Sequence, residues 1–319
     1  MVGRLVPAAE VAANVVSRVL PRVDIAPRRS ARPPEYDECS RLADIAVAVL
    51  LDEARLTPKP ALVDMRGGGA HTDLDLALMI RSANSLRPSF AAIAAICEGR
   101  LPTRELREEL AAIGRAGERA MMRATRGSNA HRGALWTLGL LVAGTVMAES
   151  DRCAGAIAGL AAVVARYPDR FAPAAPSNGS RVWDRFGVRG ARGEAAAGFP
   201  HAVEIGLPQL AAGRVRGYSE DDARLDTLLS IMCSLDDTCL LHRGGRAALA
   251  RAKTGARAVL ARGGVSSVAG RRALLELDAD LRSLGASPGG SADLLAAVLL
   301  LDRVAAPRSR DTRHALARS

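Results

Sequence analysis

The stretch Leu-Asp-Asp-Thr-Cys-Leu-Leu-His-Arg-Gly-Gly at 235–245 places two adjacent aspartates between an apolar run and a basic, glycine-rich turn. Upstream, Leu225, Leu228, Leu229, Met232 and Leu235 recur at helical spacing. Asp236, four residues past Met232, is expected to continue that buried face. A carboxylate there is costly unless a partner or a metal compensates it. Asp236 and Asp237 followed by Thr238 offer oxygen ligands suited to Mg2+. Arg243 with Gly244 and Gly245 offers a phosphate clamp at the next helix start. The competing account is structural, with the aspartates pairing with Arg243 or Arg246 to fix a helix end.

Four more polar islands share this inventory of acids, glycines and a basic side chain. Residues 57–75 hold Lys59, three successive glycines, His71, and the carboxylates Asp64, Asp73 and Asp75. Glycines allow close backbone approach to a ligand, and a following helix N-terminus attracts anions. Residues 127–133 bring Asn129, His131 and Arg132 just ahead of an apolar helix. At 190–201, Glu194 lies between glycines ahead of Phe199-Pro200. Ser287, Gly289, Gly290 and Ser291 lead into a helix whose first turn carries Asp293. Ordinary capped loops would account for each island singly. Jointly, their chemistry suits a nucleotide triphosphate with Mg2+.

Islands running from 57 to 293 can meet only if one large domain carries them all. The pattern predicts helices near 37–56, 73–97, 103–125, 132–148, 151–166, 220–238, 245–262, 265–284 and 291–304, with a helix-poor stretch at 167–215 and almost no strand-like alternation. Thr72, Thr103 and Ser219 stand as caps. The fold class expected is all-α, a single large multi-helix domain over 35–305 with a central polar cleft. Residues 1–34 read as a partly disordered extension and 306–319 as a basic flexible tail.

Composition narrows the function. The net charge is +10, carried almost wholly by arginine, since Lys59 and Lys253 are the only lysines. Arginine forks suit phosphates and carboxylates. A basic nucleic-acid-binding helical protein is disfavoured by 3% aromatics for stacking, by the acidic islands and by the lack of a basic recognition helix. Five cysteines show no CxxC pairing, and Cys97, Cys153 and Cys233 sit in apolar helical patterns, as reduced thiols of a cytoplasmic protein would. No signal-peptide pattern is present, and the apolar run 134–148 is shorter than a membrane span. The P-loop, HExxH, GxSxG, GxGxxG and paired-cysteine zinc signatures are missing.

Read together, TPKPALVD, GGAHTDLD, SNAHRGA, GARGEAAAGFP, LDDTCLLHRGG and SPGGSADLLA resemble, in the same order, the triphosphoribosyl-dephospho-CoA synthase family. The resemblance covers roughly 37–304 and its overall pattern favours the malonate decarboxylase branch over the citrate lyase branch. Ala130 and Cys239 depart from the pattern, where relatives often carry Thr and, in the citrate branch, Asn.

The resemblance implies that the ribose 2′-hydroxyl of 3′-dephospho-CoA attacks C1′ of ATP and adenine leaves, with inversion in a single displacement. It implies ATP and 3′-dephospho-CoA as partners, a downstream acyl-carrier-protein transferase, and neither nucleic acid nor membrane. Glu194 is the expected general base, Asp236 is expected to face the reacting ribose, and Asp237 with Asp73 and Asp293 is expected to hold Mg2+ on the triphosphate. Lys59, Arg132 and Arg243 are expected on phosphates. A magnesium-dependent ADP-ribosyl hydrolase, also all-helical with an Asp-Asp-Thr element, is the alternative enzyme.

Overall fold

A computed structural model describes residues 37–175 and 177–305. The expected extension at 1–34 and tail at 306–319 lie outside the described residues. Among these no strand occurs, and the one isolated bridge pairs Asp64 with Gly67.

Local chemistry sets the helix bounds. Helix α1 (Glu38–Arg55) is capped by Asp37, whose carboxylate accepts from Ser40 N at 2.6 Å. The expected helix over 73–97 is two, α2 (Leu76–Ser85) and α3 (Arg87–Cys97). Pro88, in the first turn of α3, has no N–H to continue the α2 ladder. The cap of α2 is Asp75, accepting from Leu78 N at 2.7 Å, so Thr72 does not cap it. Thr103 caps α4 (Arg104–Ala124), as expected. Helices α5 (Arg132–Met147) and α6 (Ala154–Arg166) follow; a Cβ on Gly144 would lie 2.3 Å from Ile157 O, so this glycine sets their close approach.

The stretch expected to be helix-poor is helical in short pieces. It holds α7 (Asn178–Phe186), α8 (Gly190–Ala196), and a π-helical turn (His201–Gly206) that runs into α9 (Leu207–Val215). Only Val182 of α7 is buried, and so small an apolar signal is invisible to periodicity.

Helix α10 (Glu220–Ser234) is capped by Ser219 and stops before the aspartates. Leu235 and Asp236 are non-helical, and Asp237 caps α11 (Thr238–Ala261). Asp236 therefore does not continue the buried stripe: it is exposed and pairs with Lys253 at 2.6 Å. Helix α11 is kinked at Gly245 (φ 64°, ψ −160°), the expected helix start. Helices α12 (Val268–Ser283) and α13 (Gly289–Val304) complete the bundle. Helix α13 sits at its centre, packed on α1, α5, α10 and the π turn, with Leu295, Ala297, Val298, Leu300 and Leu301 fully buried. One cluster of buried residues links every helix except α7 into a single core.

Candidate active site

Two carboxylates organise the helix starts around the centre of the bundle. Asp237 is 1% exposed and its Oδ1 accepts from Cys239 N at 2.8 Å and Leu240 N at 3.4 Å, capping its own helix. The same carboxylate caps α13 from outside. Gly290 N donates to Oδ1 at 3.3 Å, and Ser291 donates to Oδ2 through N at 2.8 Å and Oγ at 2.9 Å. Helix α13 has only Pro288 at its own cap position, so its free N–H groups depend on this borrowed acceptor. Burial nevertheless pushes the Asp237 carboxyl above the usual range, against the pull of its Ser291, Cys239 and Leu240 hydrogen bonds.

Asp293, within the first turns of α13, does the same for a different helix. Its carboxylate lies over the N-terminus of α5, so close that a Cβ on Gly133 would meet Oδ2 at 1.9 Å. His131, the cap residue of α5, offers no side-chain cap. Burial pushes the Asp293 carboxyl well up, Glu53 and Asp237 add like charge, and the Ala134 N–H draws it down.

The 57–75 island is built by a third acid, Asp64, to which the motif chemistry assigns no role. Asp64, fully buried, accepts from Lys59 N at 2.9 Å and from Arg66 at N, Nε and Nη2. Arg66 also reaches Asp278 of α12 at 3.0 Å, and Asp278 accepts Ala61 N at 2.7 Å, pinning the loop. Gly69 (φ 64°) is required here, because a Cβ would lie 2.4 Å from the carbonyls of Ala61 and Leu62. The loop delivers His71 to Arg243, which donates to Nδ1 at 3.0 Å, and to Ser287, whose Oγ is 2.9 Å from Nε2. With Nδ1 accepting, Nε2 carries the hydrogen and donates to Ser287. Burial, then Arg243, holds His71 below its ordinary pKa and so neutral.

Other expected residues are engaged differently. Lys59 is 1% exposed, its ammonium spent on the Glu53 carboxylate (2.5 Å) and carbonyl (2.6 Å). In this arrangement it is a buried cation paired with Glu53. Arg132 pairs with Glu118 at the surface, and Asn129 accepts Arg132 N at 3.2 Å. His131 is buried, with Nδ1 2.7 Å from Ser82 Oγ and Nε2 unpartnered. Asp73 is exposed, 3.7 Å from His71 Nδ1. Gly244 packs its bare Cα against Ala248 and Ala286, and Gly289 packs against Cys239.

The expected magnesium triad is not assembled. The Asp237 oxygens already accept five hydrogen bonds, and among the described residues no group of three His, Cys, Asp or Glu side chains could hold a metal. Asp236, expected to face the ribose, is on the outer side with Lys253.

Glu194, unlike Asp236, is tied to a histidine. It sits in α8 rather than on a flexible segment, and both its oxygens meet His201, at N (2.9 Å) and Nδ1 (2.8 Å). His201 is not among the residues expected from the sequence, although the seven-residue spacing from Glu194 is two helical turns. The bulky Phe199 between them is fully buried at φ +56°, a conformation non-glycine residues rarely adopt. Such strain and a π-helical turn both concentrate at functional sites. Gly190 lies against Thr238, beside Asp237, and Trp136 Nε1 donates to Ala191 O at 3.3 Å. These contacts join α8 to the starts of α11 and α5.

The family model described as ATP:dephospho-CoA triphosphoribosyl transferase (CitG) matches residues 39–312. A probable 2-(5''-triphosphoribosyl)-3'-dephosphocoenzyme-A synthase of Stutzerimonas stutzeri is 57% identical over 267 residues, 83% of this chain and 91% of that relative. The chain belongs to the CitG family of triphosphoribosyl transferases. A Klebsiella pneumoniae protein named 2-(5''-triphosphoribosyl)-3'-dephosphocoenzyme-A synthase is 55% identical over 83% of this chain and 95% of its own length. A probable synthase of Azotobacter vinelandii is 51% identical over 85% of this chain and 94% of its own. No solved structure matches. As a CitG-family member the chain is a transferase, and among its described residues no helix is long and apolar enough to cross a membrane.

Proposed function

We propose that this chain transfers the triphosphoribosyl group of ATP to the 2′-hydroxyl of 3′-dephospho-CoA, with release of adenine. The relatives' names support the reaction, and the Glu194–His201 pair is the observation that carries the chemistry. The C1′–N9 bond of ATP breaks as the O2′–C1′ bond forms. The proton leaving O2′ passes to His201 Nε2, which has no partner among the described residues, while Glu194 holds Nδ1 and stabilises the imidazolium. Adenine departs with its bonding pair and takes a proton from water at a ring nitrogen, and His201 afterwards returns its own proton to water. Glu194 thus acts through His201 rather than as the base itself.

Arg243 has no carboxylate partner among the described residues and, of Lys59, Arg132 and Arg243, is the cation best placed for a phosphate. Magnesium enters as the counter-ion that ATP brings, a role needing few carboxylates. Asp237 and Asp293 serve by fixing helix starts. The chain is proposed to act in the cytoplasm and in the malonate decarboxylase branch, which the motif pattern favours, with a downstream acyl-carrier-protein transferase consuming the product.

The test is adenine release from radiolabelled ATP. Release that requires dephospho-CoA supports the reading. Release with water alone would instead mark an ADP-ribosyl-hydrolase-like activity, and no release under either condition would sink both.

A further inference from the structure

Beside α8 lies a second cationic group that the reaction above does not use. Arg107, in the first turn of α4, is only 8% exposed, and its guanidinium carbon stands 4.9 Å from the centroid of the Trp136 ring. Its Nε is buried with no hydrogen-bond partner. The acids nearest in charge are already occupied. Asp169 pairs with Arg115 at 2.5 Å, and Glu108 holds Arg170 through both oxygens at 2.7 and 2.9 Å. Burial, with Arg192 and Arg115 as like charges, holds Arg107 below its ordinary pKa against the pull of Asp169 and Glu108. Arg192 is exposed on α8, next to Ala191, whose carbonyl accepts from the Trp136 indole.

A guanidinium stacked on an indole, with donors left over and a second arginine beside it, has the chemistry to grip a phosphoryl group in a fork. We propose that Arg107 and Arg192 form a phosphoryl subsite beside Trp136 for one of the two polyanionic substrates. The subsite rests on the reading of this chain as a triphosphoribosyl transferase only for the source of the phosphate. That source is either the triphosphate of ATP or the diphosphate of dephospho-CoA. Helix α8 carries both Arg192 and Glu194, so a phosphate held here lies on the element that orients His201.

The sequence has two tryptophans, so Trp183→Phe leaves Trp136 as the sole indole reporter. Titrating the full chain with inorganic tripolyphosphate and with pyrophosphate should change its fluorescence saturably. Arg107→Gln should weaken that response at least tenfold. In turnover, the same variant should raise KM at least tenfold for ATP if the triphosphate binds here, or for dephospho-CoA if its diphosphate does. An unchanged titration with both KM values unchanged would overturn the subsite and leave Arg107 as a packing residue. If Arg107→Gln fails to fold by circular dichroism, the surface variant Arg192→Glu decides, and anion binding unaltered in it would overturn the proposal. A chain that binds tripolyphosphate through Arg107 yet never releases adenine would keep the subsite and defeat the transferase reading.

Discussion

Ser291 gives both its backbone N–H and its hydroxyl to one oxygen of Asp237, 54 residues away in sequence. The other oxygen caps the helix that Asp237 itself begins. One carboxylate thus serves two helix N-termini, and each aligned helix dipole favours its negative charge.

Asp237→Asn should therefore act on stability. An amide presents two hydrogens to the Ser291 donors and leaves buried N–H groups unmatched, a loss of roughly 3 kcal/mol. Chemical denaturation should register it, and excess Mg2+ should not restore turnover. Recovery of activity by Mg2+ with an unchanged midpoint would reinstate the metal role.

Lys59→Met should destabilise the fold by about 3–5 kcal/mol, because it strands the Glu53 carboxylate in the interior. Adding Glu53→Gln should recover much of that loss. Urea unfolding of the four proteins of this cycle measures the coupling. A single variant that raises the KM for ATP without loss of stability would show that Lys59 meets phosphate after all.

Glu194→Gln and His201→Asn should each lower kcat by a factor of about 10² to 10⁴, the usual yield of a positioned acid–base group. The melting temperature and both KM values should stay near those of the parent. Full turnover in His201→Asn would remove the dyad from the chemistry. The Glu194 variant should also alter the pH profile of kcat, which a purely structural glutamate would not do.

His131 makes stability depend on pH. Its enclosure, with Lys59 as a nearby like charge, pushes its pKa from 6.5 down to about 3. Below 6.5 the unfolded chain binds a proton on this ring that the folded chain refuses. Folding stability should then fall by roughly 1.4 kcal/mol for each pH unit between those limits. His131→Gln should flatten that acid limb in denaturation curves measured from pH 7 to pH 4. An unchanged slope would show that His131 is not the group responsible.

Most of the helices are legible in the sequence because they depend on strong local signals. Apolar stripes at helical spacing and caps such as Thr103 and Ser219 are properties of neighbouring residues. The Gly245 kink is visible as a helix start for the same reason. The assignment of charges is not legible. Whether Lys59 faces Glu53 or a phosphate is decided by α1 folding back over the loop, and Asp237 meets Ser291 only through tertiary packing. Asp236 misleads because a stripe extrapolated past Ser234 ignores that Asp237 is itself a strong helix-starting residue. His201 escapes notice because the π-helical turn that presents it is six residues long, too short for its period to show in the sequence.

The central position of α13 bears on how the protein is made. It is the last described helix in the chain, yet α1, α5 and α10 all pack on it, and its first turn completes the Asp237 and Asp293 caps. During synthesis, every earlier helix that packs on it leaves the ribosome with its inner face still waiting for this segment. At roughly 5–20 residues per second, the roughly 300 residues up to its end take on the order of 15 to 60 seconds to emerge. Until then the inner faces of α1, α5 and α10 lack the surface they bury against, and the two shared caps cannot form, so the site is assembled only after the last described helix has emerged.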